Sequence, residues 1–267
     1  MTAQSRSEIA GLLREHGVAP SRRLGQHFLA DPNITRKIVG LAAVGPGEQV
    51  VEVGAGTGSL TRALASTGAH VVAYEIDAGL LSVLEDVTAG LDVELRFLDV
   101  TTADLASDLG GGRWTMVANL PYNVGTPLLL DALRRVEQID RFVVMVQREV
   151  AERLVAEPGG GQYGIPSVVA GIHSRARLAF RVRPHVFYPP PKVESAVVVL
   201  DRAPAPVGAE RAIEIAGIAF NQRRKMLRRS LADLFDDPVS VLEGAGLDPT
   251  ARAEDLSPAD YLSLARA

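Results

Sequence analysis

The sequence predicts an α/β domain built on a mostly parallel sheet with one antiparallel strand, followed by a small all-helical C-terminal domain. Three observations lead there. Between Gln49 and about Leu200, short apolar, β-rich runs alternate with segments of helical spacing, the pattern of a parallel sheet covered on both faces. Two later β-rich runs are joined by a loop too short for a helical crossover, so they are expected to include an antiparallel strand. Beyond Arg202 the β-rich runs cease, and the chain reads as helical up to Ala267.

The N-terminal stretch, "MTAQSRSEIAGLLREHGVAP", has no long apolar run and mixes both charge signs, so it is expected to be neither a signal peptide nor a membrane anchor. Strands are predicted at "QVVEVGA", "HVVAYEI", "VELRFL", "WTMVAN" and "RFVVMVQ". Between them "SLTRALAST", "AGLLSVLEDVTA", "TADLASDL" and "TPLLLDALRRVEQ" have helical spacing. "SRARLAFRVR" and "SAVVVLDR" are the two later strands, separated by the proline-rich "PHVFYPPPKV". "APAPVGAE" then reads as a linker or helix lead-in. The expected division is residues 1–203 as the α/β domain with an N-terminal extension and residues 204–267 as the helical domain.

With 267 residues, 47% of them apolar, one large domain or one plus a smaller one is expected. The absence of cysteine excludes disulfides and thiolate metal sites and suits a reducing cytosol; a cytoplasmic protein without a metal is expected. The longest apolar runs are strand-sized, which predicts no membrane span. A net charge of -4 argues against nucleic acid as a partner, but the charge is uneven. "SRRLGQHF" is basic, "GIHSRARLAFRVRPH" holds four arginines and no acid, and "NQRRKMLRRS" gathers Arg223, Arg224, Lys225, Arg228 and Arg229. The last run fits a helix whose cations contact phosphates, or else a solvated helix face.

"VVEVGAGTGSLT" sets Gly54, Gly56 and Gly58 between a strand and a helix. Glycine is needed where the chain turns sharply and a ligand approaches the backbone closely, which makes Gly54 and Gly56 candidate cofactor contacts. Glu75 ends the next strand, where a carboxylate can accept from ribose hydroxyls. A dinucleotide fingerprint would want glycine or alanine at position 59, which is Ser59. The loop, with Glu52 before it, looks more like that of S-adenosylmethionine-dependent methyltransferases, whose cofactor has no pyrophosphate; a bare βα turn is the alternative. Asp99 ends the third strand, either to hold an adenine amine or to cap a helix.

"WTMVANLPYN" ends the fourth strand, at the carboxyl edge where ligands of doubly wound sheets sit. The Asn119 side-chain oxygen and the Leu120 carbonyl are two acceptors for the hydrogens of an exocyclic amine. Pro121 fixes the chain direction, and the Tyr122 ring can stack on the base. A strand stopped by Asn-Pro turn chemistry is the alternative.

"NLPYNVGTP", "LGQHFLAD", "VEVGAGTGSLT" and "FYPPPKVESAV" together resemble the ribosomal RNA adenine dimethyltransferases, from about Arg22 to the C-terminus. The resemblance implies a Rossmann-like methyltransferase fold and S-adenosyl-L-methionine as cofactor. It also implies dimethylation of two adjacent adenosines near the 3′ end of 16S rRNA in the small ribosomal subunit, by a monomer. It further implies that His27, Leu29, Gly54, Glu75, Asp99 and Asn119 contact the cofactor, with Leu120 and Tyr122 around the target base. Phe187 would stack on the other face of that base. Two departures are noted: asparagine is common where this chain has His27, and proline where it has Ala55. His27 has packing of the N-terminal segment as its plainer reading, and Phe187 has that of a core aromatic at a strand entry. The rivals are a large-subunit 23S rRNA adenine methyltransferase of the macrolide-resistance type, a DNA adenine methyltransferase, and a ribosome-assembly or transcription factor retaining the fold.

Overall fold

The structure, a computed structural model, describes residues 4–267; the first three residues of the N-terminal stretch read above lie outside the described residues. The chain begins with α1 (Arg6–Glu15), β1 (Phe28–Leu29) and α2 (Pro32–Ala42). The alternating region follows as β2 (Gln49–Val53), α3 (Ser59–Ala65), β3 (His70–Glu75), α4 (Leu81–Thr88), β4 (Val93–Phe97), α5 (Leu105–Leu109), β5 (Trp114–Asn119), α6 (Gly125–Arg135) and β6 (Ile139–Gln147). Then come α7 (Arg148–Leu154), α8 (Ile165–His173), β7 (Ser174–Val182), β8 (Phe187–Tyr188) and β9 (Ser195–Arg202). Four helices close the chain: α9 (Ala209–Asn221), α10 (Leu227–Ser230), α11 (Pro238–Gly244) and α12 (Pro258–Leu264).

The main sheet has the order β4-β3-β2-β5-β6-β9-β7. Its pairs from β4 through to β6 are parallel, and β9 runs antiparallel to β6. Val50, Val51, Val71, Met116, Val117, Val143 and Val144 are fully or almost fully buried, as strands covered on both faces require. Strand order reverses at β2, so β2 and β5 lie side by side with the glycine loop at one tip and Asn119 at the other. That juxtaposition builds the site.

Chain chemistry sets the ends of the N-terminal helices. Ser5 and Glu8 form a reciprocal capping box on α1. The Asp31 carboxylate accepts from the Asn33 and Ile34 N–H groups, with Pro32 in the first turn of α2. A two-stranded antiparallel sheet, β1 against β8, pairs Phe28 with Tyr188 and Leu29 with Phe187. Two-residue strands carry no periodicity, and the sequence gives no sign of this one.

The chain divides into two compact units. The first runs up to Ala151 and includes Arg177–Asp201; the second is Glu152–Ala176 with Arg202–Ala267. The second unit takes in the C-terminal helices and also a segment from mid-chain. Within it α8 packs on α9 and α12. Tyr163 donates to the Leu256 carbonyl at 2.8 Å and Tyr261 to the Ala253 carbonyl at 2.7 Å, with the Phe220 ring 6.1 and 6.4 Å from theirs. Burial pushes both phenols upward from their ordinary pKa.

Candidate active site

The site is a cavity of about 800 Å³, counting the space open at its mouth, within the first unit. Its floor is the glycine loop. The Gly54 and Ala55 N–H groups both donate to the Tyr74 carbonyl, at 2.8 and 3.1 Å, which carries the chain off β2 toward α3. Gly56 has φ +58°, and a Cβ there would stand 2.9 Å from the Phe28 ring. Only glycine fits both demands. Gly54 and Gly56 line the cavity, and Ala55 between them is buried.

Glu75 is nearly buried at the end of β3. Its Oε1 accepts from the Ile76 and Asp77 N–H groups, both at 2.9 Å, and its Oε2 from the Gly56 N–H at 2.8 Å. Burial raises its pKa, while these three amides work to lower it. Since each carboxylate oxygen has two lone pairs, Oε2 keeps one to offer a ligand hydroxyl. Asp99 also lines the cavity. Its Oδ1 accepts from the Thr101 N–H and hydroxyl, at 2.9 and 2.7 Å, which lowers its pKa. It caps a turn, whereas the following helix α5 is capped by Asp104. Among the described residues its Oδ2 has no hydrogen-bond partner.

The wall opposite is the end of β5. The Asn119 amide nitrogen donates to the His27 carbonyl at 2.9 Å, which assigns the amide orientation and leaves the oxygen without a partner among the described residues. The Pro121 carbonyl is taken by the Gly125 N–H at 2.8 Å, but the Leu120 carbonyl accepts no hydrogen bond among the described residues. A Cβ on Gly125 would stand 2.7 Å from that of Leu120, so glycine lets α6 start directly behind this wall. Tyr122 is half-buried, its hydroxyl 2.7 Å from the Ser195 hydroxyl and its ring stacked on His27 at 5.8 Å and 29°. Burial raises its pKa. His27 Nδ1 donates to the Pro189 carbonyl at 2.7 Å, so a neutral ring presents Nε2 as an acceptor.

His27, Gly54, Gly56, Glu75, Asp99, Asn119, Leu120 and Tyr122 thus line one cavity. Leu29 does not; it is buried in the core behind the glycine loop, at a separate small cavity shared with Gly54, Gly56 and Asn119. Phe187 requires a correction. Its ring is 0% exposed, packed in the core and paired with Leu29, so in this structure it offers no face to a base and is the core aromatic at a strand entry. The basic run also differs from its expectation as one helix. It is a turn after α9 followed by the short α10, because Lys225 N–H closes on the Gln222 carbonyl and Met226 bridges to Arg252. Arg224, Lys225, Arg228 and Arg229 are exposed, while Arg223 is held by Glu254 at 2.7 Å and the Gly161 carbonyl at 3.1 Å.

Glu52, which in the sequence only marks the glycine loop, is a further buried carboxylate. It is 1% exposed, with Oε2 lacking any hydrogen bond, and burial pushes its pKa up to about 8. The nearby Thr61 hydroxyl pulls the other way. Only the acid-before-glycine pattern could have pointed to it.

Among the described residues no lysine or arginine lines the cavity, whereas two carboxylates do. Such a wall repels a pyrophosphate and favours a ligand with a cationic centre. An open carboxylate lone pair at Glu75, a second at Asp99 and the glycine floor fit a nucleoside carrying a short cationic tail. Among the described residues no group of His, Asp or Glu could hold a metal ion, and no helix is long and apolar enough to cross a membrane.

The model of the ribosomal RNA adenine dimethylase family matches residues 19–267. A ribosomal RNA small subunit methyltransferase A from Phenylobacterium zucineum is 45% identical, covering 100% of this chain and 94% of its own. Among solved structures, a dimethyladenosine transferase from Plasmodium falciparum superposes with a TM-score of 0.77 at 23% identity, covering 89% of this chain and 96% of that one. The 23S rRNA methyltransferase ErmE gives 0.70 at 26% identity, with 90% and 98% covered.

Proposed function

The chain belongs to the ribosomal RNA adenine dimethylase family, and from that premise we propose that it dimethylates N6 of two adjacent adenosines near the 3′ end of 16S rRNA in the small ribosomal subunit. It is an rRNA adenine methyltransferase, and the methyl donor we infer is S-adenosyl-L-methionine, which supplies a sulfonium-activated methyl group when bound. His27, Gly54, Gly56, Glu75, Asp99 and Asn119 would hold that cofactor.

The observation that carries the reading is the pair of unoccupied acceptors, the Asn119 amide oxygen and the Leu120 carbonyl, on the wall of an acidic, glycine-floored cavity. They accept the two hydrogens of the target amine, which draws its nitrogen toward tetrahedral geometry and turns its lone pair into the cavity. Tyr122 stacks on the base, its ring fixed by Ser195 and His27. The base must leave its stack to reach them. No strong base is needed, because the amine gives up its proton after transfer; the residues act by positioning. The exposed cations of the Arg223–Arg229 region bind RNA phosphates. We place this activity in the cytoplasm, in a monomer, with no metal or membrane in the cycle.

Undermethylated small subunits incubated with tritiated cofactor, followed by nucleoside analysis, test the reading. N6,N6-dimethyladenosine at adjacent positions is expected. Label in large-subunit RNA alone would assign the 23S activity instead. Tight particle binding with no label would make the protein an assembly factor.

A further inference from the structure

The arginine-rich run ahead of the proline segment takes no part in the site above. Residues 174–192 contain no acidic side chain. In the first unit Arg177, Arg181 and Arg183 are exposed, whereas Leu178 and Phe180 are half-buried and Val182 is buried. A strand imposes that parity, since successive side chains point to opposite faces. The even-numbered side packs inward, where Phe180 lies against the core with the Lys37 ammonium 5.6 Å from its ring centre. The exposed guanidinium groups fall on odd-numbered positions, about 6.7 Å apart per two residues, and the row is interrupted by Ala179, which is half-buried against the core.

Arg177 and Arg181 lie on β7, an edge strand of the main sheet, and Arg183 directly follows its last residue. The end of β7 leads through residues 184–186 into β8, which pairs with β1, and the Pro189 carbonyl holds His27 on the cavity wall. The segment that carries the row thus continues into the loop that holds a residue of the cavity wall. A single-sign row on a chain of net charge -4 is not a by-product of composition.

We propose that Arg177, Arg181 and Arg183 form a phosphate-binding strip that tracks the RNA backbone as it approaches the cavity. Guanidinium forks suit phosphate oxygens, and fixed cations in a line release counterions from a polyanion. The inference rests on the rRNA methyltransferase reading. It places a contact surface in the methyltransferase unit, additional to the basic run after α9.

Binding of a fragment from the 3′ end of small-subunit RNA, measured from about 50 to 300 mM salt, tests it. Replacing all three arginines with glutamine is expected to weaken binding by about tenfold or more. The slope of log K against log salt should fall by about 2, at roughly 0.7–0.9 per lost phosphate contact. Thermal stability and affinity for S-adenosyl-L-methionine should be unchanged, and the triple lysine variant should restore most of the slope. An unchanged slope in the glutamine variant overturns the strip. So does a variant that only aggregates while its RNA affinity is kept, since the arginines would then merely guard a sheet edge. If the wild-type protein neither binds nor methylates this RNA, the parent reading fails instead.

Discussion

The Asn119 amide has two ends with separate tasks: its nitrogen holds the His27 carbonyl at 2.9 Å, while its oxygen stays open to the cavity. Asn119→Ala is expected to lower the transfer rate by at least about 10²-fold, the size of loss seen for one aligned polar group, with circular dichroism unchanged. Phe187→Ala should instead act on stability, by about 3–5 kcal/mol in urea unfolding, because the ring is wholly buried. Glu52 gives a pH signature. Its folded pKa, about 8, lies above the ordinary 4.5, so its contribution is fully present below about 4.5 and is lost as pH rises through 8. Relative to Glu52→Gln, the wild-type protein should lose stability by up to about 1.4 kcal/mol per pH unit in that window; parallel slopes in urea titrations from pH 5 to 8 would count against a buried protonated acid. Asn119 and Glu75 stand out in the sequence because they end strands, and Leu120, Tyr122 and Asp99 because they follow strand ends within three residues. Phe187 does not, because its neighbour Leu29 comes from a strand pair too short to leave a pattern.

The glycine loop is the element on which the cavity depends. Gly56→Ala places a methyl group against Phe28 at a positive φ. A loss of about 1–3 kcal/mol is expected, together with weaker cofactor binding by calorimetry, since Phe28 and Gly56 share the cavity wall. A variant with unchanged melting temperature and affinity would mean that the loop relaxes freely. The strands of the main sheet were readable as apolar runs bounded by turns, down to the antiparallel β9. The basic run was misread as one helix because its composition suits a helix, whereas the Gln222–Lys225 turn and the Met226–Arg252 bridge depend on distant partners. Local propensity is silent on such contacts.

For the molecule as a whole, the division into units is not a single cut in the chain. Composition shifts after Arg202 and so betrays the C-terminal helices, but Glu152–Ala176 looks like more of the α/β domain until Tyr163 is seen bonded to Leu256. A truncation after Asp201 therefore removes most of one unit and strips the partners from buried Tyr163, Val168 and Val169. Such a protein is expected to bind an apolar dye and to aggregate, whereas a tidy removable domain would leave a monodisperse remainder by gel filtration. The interrupted unit also imposes an order on biosynthesis. Its first segment is translated by Ala176, yet the last residue that completes it comes 91 positions later (267 − 176). At about 5–20 residues per second, α8 must wait roughly 5–18 s for the helices that cover it, so the nascent chain carries a sticky, half-built helical face while those helices are still being made.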